Sequence, residues 1–301
     1  MRVLRTRAIL TVVMLCLTHS LAVAQSRETI GIGRIFNNDA LGDGRDRWQS
    51  GSYALSVIRS RTPYDPEGQP FGALIEYRLR SQVITRERPF DQRPYVGAVS
   101  AGIATHFGAD NMMFSLGADL MAIGPQTGLA TLQERFHDAF GLQSPATDNP
   151  LPDDVRLSVD MAVMPTARLN ETVSIRPFVA ATGGVEEIFR TGADVLVGPV
   201  GQRDLWLRDP VSGQLYRATR SAETGLAYSF GGDIARVGDS VFLPDGAGPD
   251  AAGQRRRARA GVHWQPTPET ALFYGLAYLS EEFRGQREGQ VIGSVSLSFS
   301  F

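Results

Sequence analysis

Hydrophobic and polar residues alternate one for one along several stretches of the chain. Val155, Leu157, Val159, Met161 and Val163 share one face of an extended segment, with Arg156, Ser158, Asp160 and Ala162 on the other. Phe114, Leu116, Ala118, Leu120 and Ala122 oppose Met113, Ser115, Gly117 and Asp119. At the end, Val295, Leu297, Phe299 and Phe301 alternate with Ser294, Ser296, Ser298 and Ser300. Side chains of a strand point to opposite faces with period two, so each stretch has one apolar and one polar surface. In a membrane barrel the apolar face meets lipid, the polar face lines the lumen, and closure satisfies every backbone group. A soluble sandwich alternates too. Strand length, an aromatic last strand, unequal loops and an export segment favour the barrel.

The expected fold is therefore all-β: a closed antiparallel transmembrane β-barrel of about twelve strands. The strands are predicted at 28–37, 50–60, 71–84, 94–106, 112–123, 155–164, 172–182, 187–197, 214–232, 256–265, 270–282 and 290–301. Asp209-Pro210-Val211-Ser212-Gly213 could itself be a hairpin turn, which makes 198–222 the hardest stretch to place. With the N-terminus in the periplasm, the segments 38–49, 85–93, 124–154 and 233–255 become long extracellular loops. The turns near Phe107–Asn111 and Pro165–Glu171 become short periplasmic ones. One extracellular loop carries a predicted helix from Thr127 to Gly141, with Leu129, Leu132, Phe136 and Phe140 at helical spacing, Thr127 as N-cap and Gly141 as C-cap. Gln133 and His137 lie four apart at the border of that stripe.

The first residues set the compartment. Arg2, Arg5 and Arg7 precede an apolar run from Ala8 to Leu17, and Ala22-Val23-Ala24 forms a small-x-small cleavage site before Gln25. Residues 1–24 are expected to be a signal peptide and 25–301 the barrel domain of a Gram-negative outer membrane. The single cysteine, Cys16, leaves with the signal, so thiol and disulfide chemistry are excluded from the mature chain. Without the three signal arginines, 27 basic residues face 32 acidic ones, which argues against a nucleic-acid partner. Every basic residue is arginine, so no step can use a lysine amine.

Candidate chemistry gathers at one rim. Of the mature chain's histidines, His106 and His263 lie on strands and read as structural. His137 sits on the extracellular helix, at the same rim as Asn37-Asn38-Asp39 and Ser50. In general an imidazole, with an ordinary pKa near 6.5, can take a proton from water at physiological pH.

Several blocks resemble the outer-membrane lipid A 3'-O-deacylases. They are Phe36-Asn37-Asn38-Asp39; Asp46-Arg47-Trp48-Gln49-Ser50-Gly51; Arg93-Pro94-Tyr95-Val96-Gly97; Gly124-Pro125-Gln126-Thr127-Gly128 followed by Gln133 and His137; Asp239-Ser240-Val241-Phe242-Leu243; and Glu282-Phe283-Arg284-Gly285-Gln286. Their order, spread across nearly the whole mature chain, carries the likeness more than any one block.

The resemblance implies a twelve-stranded barrel that acts as a calcium-dependent esterase, removing the 3' acyl group from lipid A of lipopolysaccharide in the outer leaflet, as a monomer. By position His137 would be the general base, Asp39 a Ca2+ ligand, Asn38 and Gln133 polar neighbours, and Ser50, where the family has Thr, a contact near the oxyanion. Arg93 could pair with a lipid A phosphate or simply anchor a strand. The family's active-site lysine is absent, leaving Arg86, Arg88 or Arg93 to supply its charge. Beyond His137 only neutral Gln143 stands where an acidic residue is usual, so a second calcium ligand would come from Asp138, Asp148 or Asp153. Two alternatives remain open: a barrel without catalysis, such as a narrow pore, or an outer-membrane phospholipase with Ser50 as nucleophile.

Overall fold

The computed structural model describes residues 27–87, 89, 91–141, 146–246 and 248–299; the expected signal peptide, Arg88, Gln143 and Phe301 lie outside them. The strands are β1 (Glu28–Asn38), β2 (Trp48–Ser60), β3 (Gly68–Thr85), β4 (Val96–Ala109), β5 (Met112–Ile123), β6 (Asp154–Pro165), β7 (Ala167–Arg168), β8 (Val173–Gly183), β9 (Glu186–Val197), β10 (Trp206–Arg208), β11 (Leu215–Arg217), β12 (Gly225–Ser240), β13 (Gln254–Gln265), β14 (Thr270–Leu279) and β15 (Gln290–Phe299), with helix α1 (Leu129–Phe140) between β5 and β6. Apart from β10, β11 and the two-residue β7, these form a ring in chain order, closed by antiparallel pairing of β15 with β1 and of β6 with β8. The twelve-stranded barrel is as expected. No helix among the described residues is long and apolar enough to cross a membrane, so strands do the crossing.

Alternation decides which way each side chain points. Leu116, Leu120, Leu157, Met161, Phe230, Leu297 and Phe299 are exposed on the outer wall, whereas Ser115, Asp119 and Ser158 on the same strands are buried in the lumen. Along β13 the pattern is strict: Arg255, Arg257, Arg259 and His263 face inward, and Trp264 faces out. An apolar outer belt carrying Tyr228, Trp264, Tyr274 and Tyr278 suits hydrocarbon and its interfaces.

One expectation is corrected here: the ninth wall strand is 225–240, not 214–232. The alternative the sequence offered for the preceding segment, a hairpin turn at Asp209–Gly213, is what forms. Residues from Val200 to Thr219 enter the lumen as a hairpin in which β10 pairs with β11 in the register Trp206↔Arg217, Leu207↔Tyr216 and Arg208↔Leu215. Gly213 turns it with a φ of 75°, a backbone conformation glycine adopts without strain. Leu205, Leu207, Tyr216 and Ala218 pack against Ile35, Ala54, Ile58, Leu74 and Phe273 of the wall, while Trp206 and Leu215 pack against Leu196 and Ala227. These wall residues face inward, where a water-filled pore would be polar. The hairpin is therefore the dry core of the barrel's periplasmic half.

Above and around it the lumen is charged and paired. Arg78 Nη2 donates to Asp119 at 2.5 Å and also pairs with Asp160. Arg259 bridges Asp194 at 2.6 Å and Asp233 at 2.5 Å. His106 Nε2 lies 2.9 Å from Glu76, and His263 stacks on Phe273 at 4.3 Å beneath Trp206, so both histidines are packed inside the barrel.

Candidate active site

At the extracellular end β1 runs into a tight 3-10 turn, Asp39–Leu41, which turns the chain back towards β2. Asn38 caps it. Its side-chain oxygen accepts from Ala40 N at 2.9 Å, and its amide donates to Ser50 O at 2.9 Å, tying the turn to the next strand. Asp39 is buried, and its carboxylate accepts from Arg47 N at 3.2 Å. Burial and then the nearby negative charge of Asp46 raise its pKa to about 8, against weaker opposing hydrogen bonds from Arg47, Ala40 and Ser50.

Ser50 reaches the same place through a local irregularity. The ladder between β2 and β3 slips between Gln49 and Gly51, so Ser50 is the extra residue of a bulge. Trp48, two residues earlier, has a φ of 52°, which a bulky side chain adopts only when its surroundings hold it. They do: its indole donates to Asp91 at 3.0 Å, Arg47 lies 4.1 Å over the ring, and Phe283 packs edge-on. Bulges commonly re-aim a side chain beside a functional site. Ser50 Oγ donates to Asp46 at 2.5 Å.

Helix α1 closes the site from above. Gly141 caps its C-terminus as expected, with a φ of 64° and its N–H directed to Asp138 and His137 carbonyls. The start is corrected: Thr127 belongs to a separate 3-10 turn, and Gly128 precedes the helix. Leu132 is exposed while His137 is buried, so the helix turns its polar border inward. Gln133 Nε2 lies 3.4 Å from both Asp46 Oδ1 and Ser50 Oγ, and His137 Nε2 lies 3.8 Å from Asp46 Oδ2.

Four residues, Asp39, Ser50, Gln133 and His137, thus gather around one carboxylate, with Asn38 buttressing them. That carboxylate, Asp46, was not among the residues singled out from the sequence, although it opens the Asp46-Arg47 block. Of the carboxylates considered as second metal ligands, Asp148 pairs with Arg86, and Asp153 accepts from Gln126 N at 2.7 Å. Asp46 is the acidic neighbour of Asp39 instead.

Arg93 is placed against an acidic partner of its own chain. It is buried, its Nη1 donates to Glu282, and it lies 5.7 Å from the Phe283 ring. Burial alone would raise the Glu282 pKa, but Arg93 and Arg255 hold it below the usual carboxylate range. Glu282 also accepts from Gln49 Nε2 at 2.6 Å, next to Ser50 in the chain. A lipid phosphate would have to displace Glu282, so Arg93 anchors the floor of the site. The blocks around residues 49, 93 and 282 meet at this point.

A closed barrel with a lipid-facing belt and a polar cluster on its outer rim defines an outer-membrane β-barrel protein of the Gram-negative envelope. Within that class its fold is that of LpxR from Salmonella typhimurium, with a TM-score of 0.71 and 17% identity over 90% of this chain and 100% of that one. An outer membrane channel from Pseudomonas putida F1 superposes less well, with a TM-score of 0.46 and 11% identity over 93% and 98% of the two chains. The translocator domain of autotransporter NalP from Neisseria meningitidis gives 0.43 and 8% over 99% and 98%. No protein-family model and no curated protein sequence matches the chain.

Proposed function

We propose that the protein is a lipid A 3'-O-deacylase, an ester hydrolase that works at the outer leaflet with a His137 general base and calcium. The observation that carries the proposal is the convergence of Asp39, Asp46, Ser50, Gln133 and His137 on the lipid-adjacent rim, from segments up to 98 residues apart, at the positions the sequence resemblance marks.

Calcium fits the donor set in kind. Buried Asp39 lies beside the more exposed Asp46, and burial together with that neighbouring negative charge raises the pKa of Asp39, a cost a cation would offset. Calcium is a hard ion that takes oxygen ligands. Among the described residues no group of three or more His, Cys, Asp or Glu side chains gathers, so Asp39 and Asp46 would hold the ion together with backbone carbonyls and water. When bound, calcium would polarise the ester carbonyl.

The remaining chemistry belongs to the chain. The His137 imidazole takes a proton from water as the water oxygen attacks the ester carbonyl, and Asp46, 3.8 Å from Nε2, stabilises the imidazolium. Gln133 and Ser50 line the approach as hydrogen-bonding groups. The proton then passes to the leaving oxygen, giving a free fatty acid and a sugar hydroxyl. Ser50 suits a nucleophile poorly, because its hydroxyl donates to a carboxylate. The hairpin that fills the lumen weighs against a pore.

Mass spectrometry of lipid A incubated with purified protein tests the proposal. Loss of the 3' acyl group is expected with calcium and not with a chelator. Unchanged lipid A, or acyl loss that persists fully in chelator, rejects it. Release of fatty acid from glycerophospholipid would point to the phospholipase instead.

Proton and metal should compete for Asp39. Below a pKa of about 8 the carboxylate holds a proton, so calcium affinity should fall by roughly tenfold per pH unit on the acid side and level off above it. Without metal the sign reverses for folding. The native state keeps a proton that the unfolded chain releases, so the contribution of Asp39 to stability declines as pH rises from about 4 to about 8. Calorimetric calcium titration from pH 6 to 9 checks the first effect, and Asp39→Asn should bind weakly with little pH dependence.

A further inference from the structure

The corner that carries Asn38 and Asp39 stands on a weak seam. Among the described residues β1 and β15 share three residue pairs, Phe36↔Val295, Asn37↔Ser294 and Asn38↔Gly293, whereas β4 and β5 share twelve. A ladder this short leaves the end of β1 under-determined by backbone pairing alone. Side chains make up for it. Asn37, buried in the middle of the seam, donates from Nδ2 to Ser52 Oγ on β2 at 2.8 Å and accepts on Oδ1 from Ser294 Oγ on β15 at 2.6 Å. The same Nδ2 donates at 3.1 Å to Asp209 Oδ2, at the tip of the hairpin that enters from the periplasm. Asp209 is itself held in place, since Oδ2 also accepts from Val211 N at 3.1 Å, Ser212 N at 2.7 Å and Ser212 Oγ at 2.8 Å.

We propose that Asp209 is a positioning residue for the extracellular site: the buried hairpin holds Asn37 from below, and through it sets the Asn38-Asp39 corner. The inference rests on the proposed deacylase function for its consequence in catalysis, but the mechanical link can be measured without it. The four hydrogen bonds to the Asp209 carboxylate all arrive at one oxygen. An asparagine carbonyl can take that place, so the negative charge is dispensable and the acceptor is not.

The test compares full-length Asp209→Ala, Asp209→Asn, Asn37→Asp and the double variant Asn37→Asp/Asp209→Asn, each first checked for folding by heat-modifiable electrophoretic mobility. Asp209→Ala should lower kcat on lipid A by up to about 10²-fold, the scale of a small misplacement of reacting groups. KM should change little, and the calcium concentration for half-maximal rate should rise. Asp209→Asn should stay within about threefold of wild type by the same reasoning. Asn37→Asp sets two carboxylates face to face and should behave like Asp209→Ala. The double variant removes the like-charge repulsion but not the misfit, because an asparagine nitrogen facing residue 37 would also face Val211 N and Ser212 N, so it should recover only part of the rate.

A nitroxide on Leu41→Cys, in a chain lacking Cys16, reports the turn directly. It should gain mobility in Asp209→Ala and Asn37→Asp, and stay near wild type in Asp209→Asn. Wild-type label mobility in a folded Asp209→Ala overturns the inference, as does an Asp209→Asn variant as impaired as Asp209→Ala. If the wild-type protein leaves lipid A intact, the functional proposal fails while the label still decides this one.

Discussion

Replacing His137 with alanine is expected to slow hydrolysis of the 3' ester by about 10²–10⁴-fold, the usual worth of a positioned general base. The barrel should be unaffected, because α1 lies outside the strand ladder. The contrast with Ser50 discriminates between mechanisms. If water is the nucleophile, Ser50→Ala removes one hydrogen-bonding group and should cost less than His137→Ala. If Ser50 were the nucleophile, both changes would be equally severe, because residues acting as one unit fail together. Gln133→Ala belongs with Ser50→Ala, since its amide sits 3.4 Å from the Ser50 hydroxyl and from Asp46. Single-turnover rates on lipid A micelles at saturating calcium measure all three. A His137→Ala rate within a few-fold of wild type removes the general base from the mechanism.

The second large effect concerns the barrel. Asp233 on β12 is buried and accepts from Arg190 on β9 and from Arg257 and Arg259 on β13, at 3.0 and 2.5 Å for the last two. Asp233→Ala would leave three guanidiniums facing one another, with Asp194 and the more distant Glu186 to offset them. Removing one partner of a buried ion pair typically costs about 3–5 kcal/mol because the remaining charge is left uncompensated. A matching fall in the urea midpoint of the heat-modifiable transition is expected. Asp233→Asn should fall between, retaining an acceptor without the charge. Arg156→Ala, by contrast, should leave the midpoint unchanged, because Arg156 pairs with Asp154 on the exposed extracellular rim. Equal midpoints for Asp233→Ala and wild type would mean the lumen network adds nothing to stability.

These two sites differ in how far they could be read in advance. Arg257 and Arg259 lie on a strand whose alternation shows which face is inward, so their burial follows from period two. Their partners do not, because Asp194 and Asp233 come from two other strands. The hairpin from Val200 to Thr219 was hard to place for a related reason. It is buried on all sides inside the lumen, so apolar residues occur in runs such as Leu205 to Leu207 and the two-faced pattern of a wall strand is lost. Helix α1 was visible from its spacing, but its orientation was not. An apolar stripe beside a membrane need not turn towards the protein, and here the polar side with Gln133 and His137 does. Asp46 and Arg93 illustrate the same limit from opposite sides. The one enters the site because a bulge at Ser50 and a strained Trp48 fold the chain over it; the other is diverted by a glutamate 189 residues away.

What the sequence by itself determined is the membrane barrel: its twelve crossings and the lipid or lumen side of each wall residue. That information is local, because neighbouring side chains on a strand point in opposite directions and lipid and lumen differ in polarity. It also marked Asn38, Asp39, Ser50, Gln133 and His137 as residues of interest. Only the tertiary structure decided that Ser50, Gln133 and His137 share one carboxylate, Asp46, that Glu282 pairs with Arg93, and that a hairpin from the periplasmic side reaches Asn37. Those outcomes depend on strand register, on a bulge and on which segment fills the lumen, and closing the ring brings together residues that no local pattern relates.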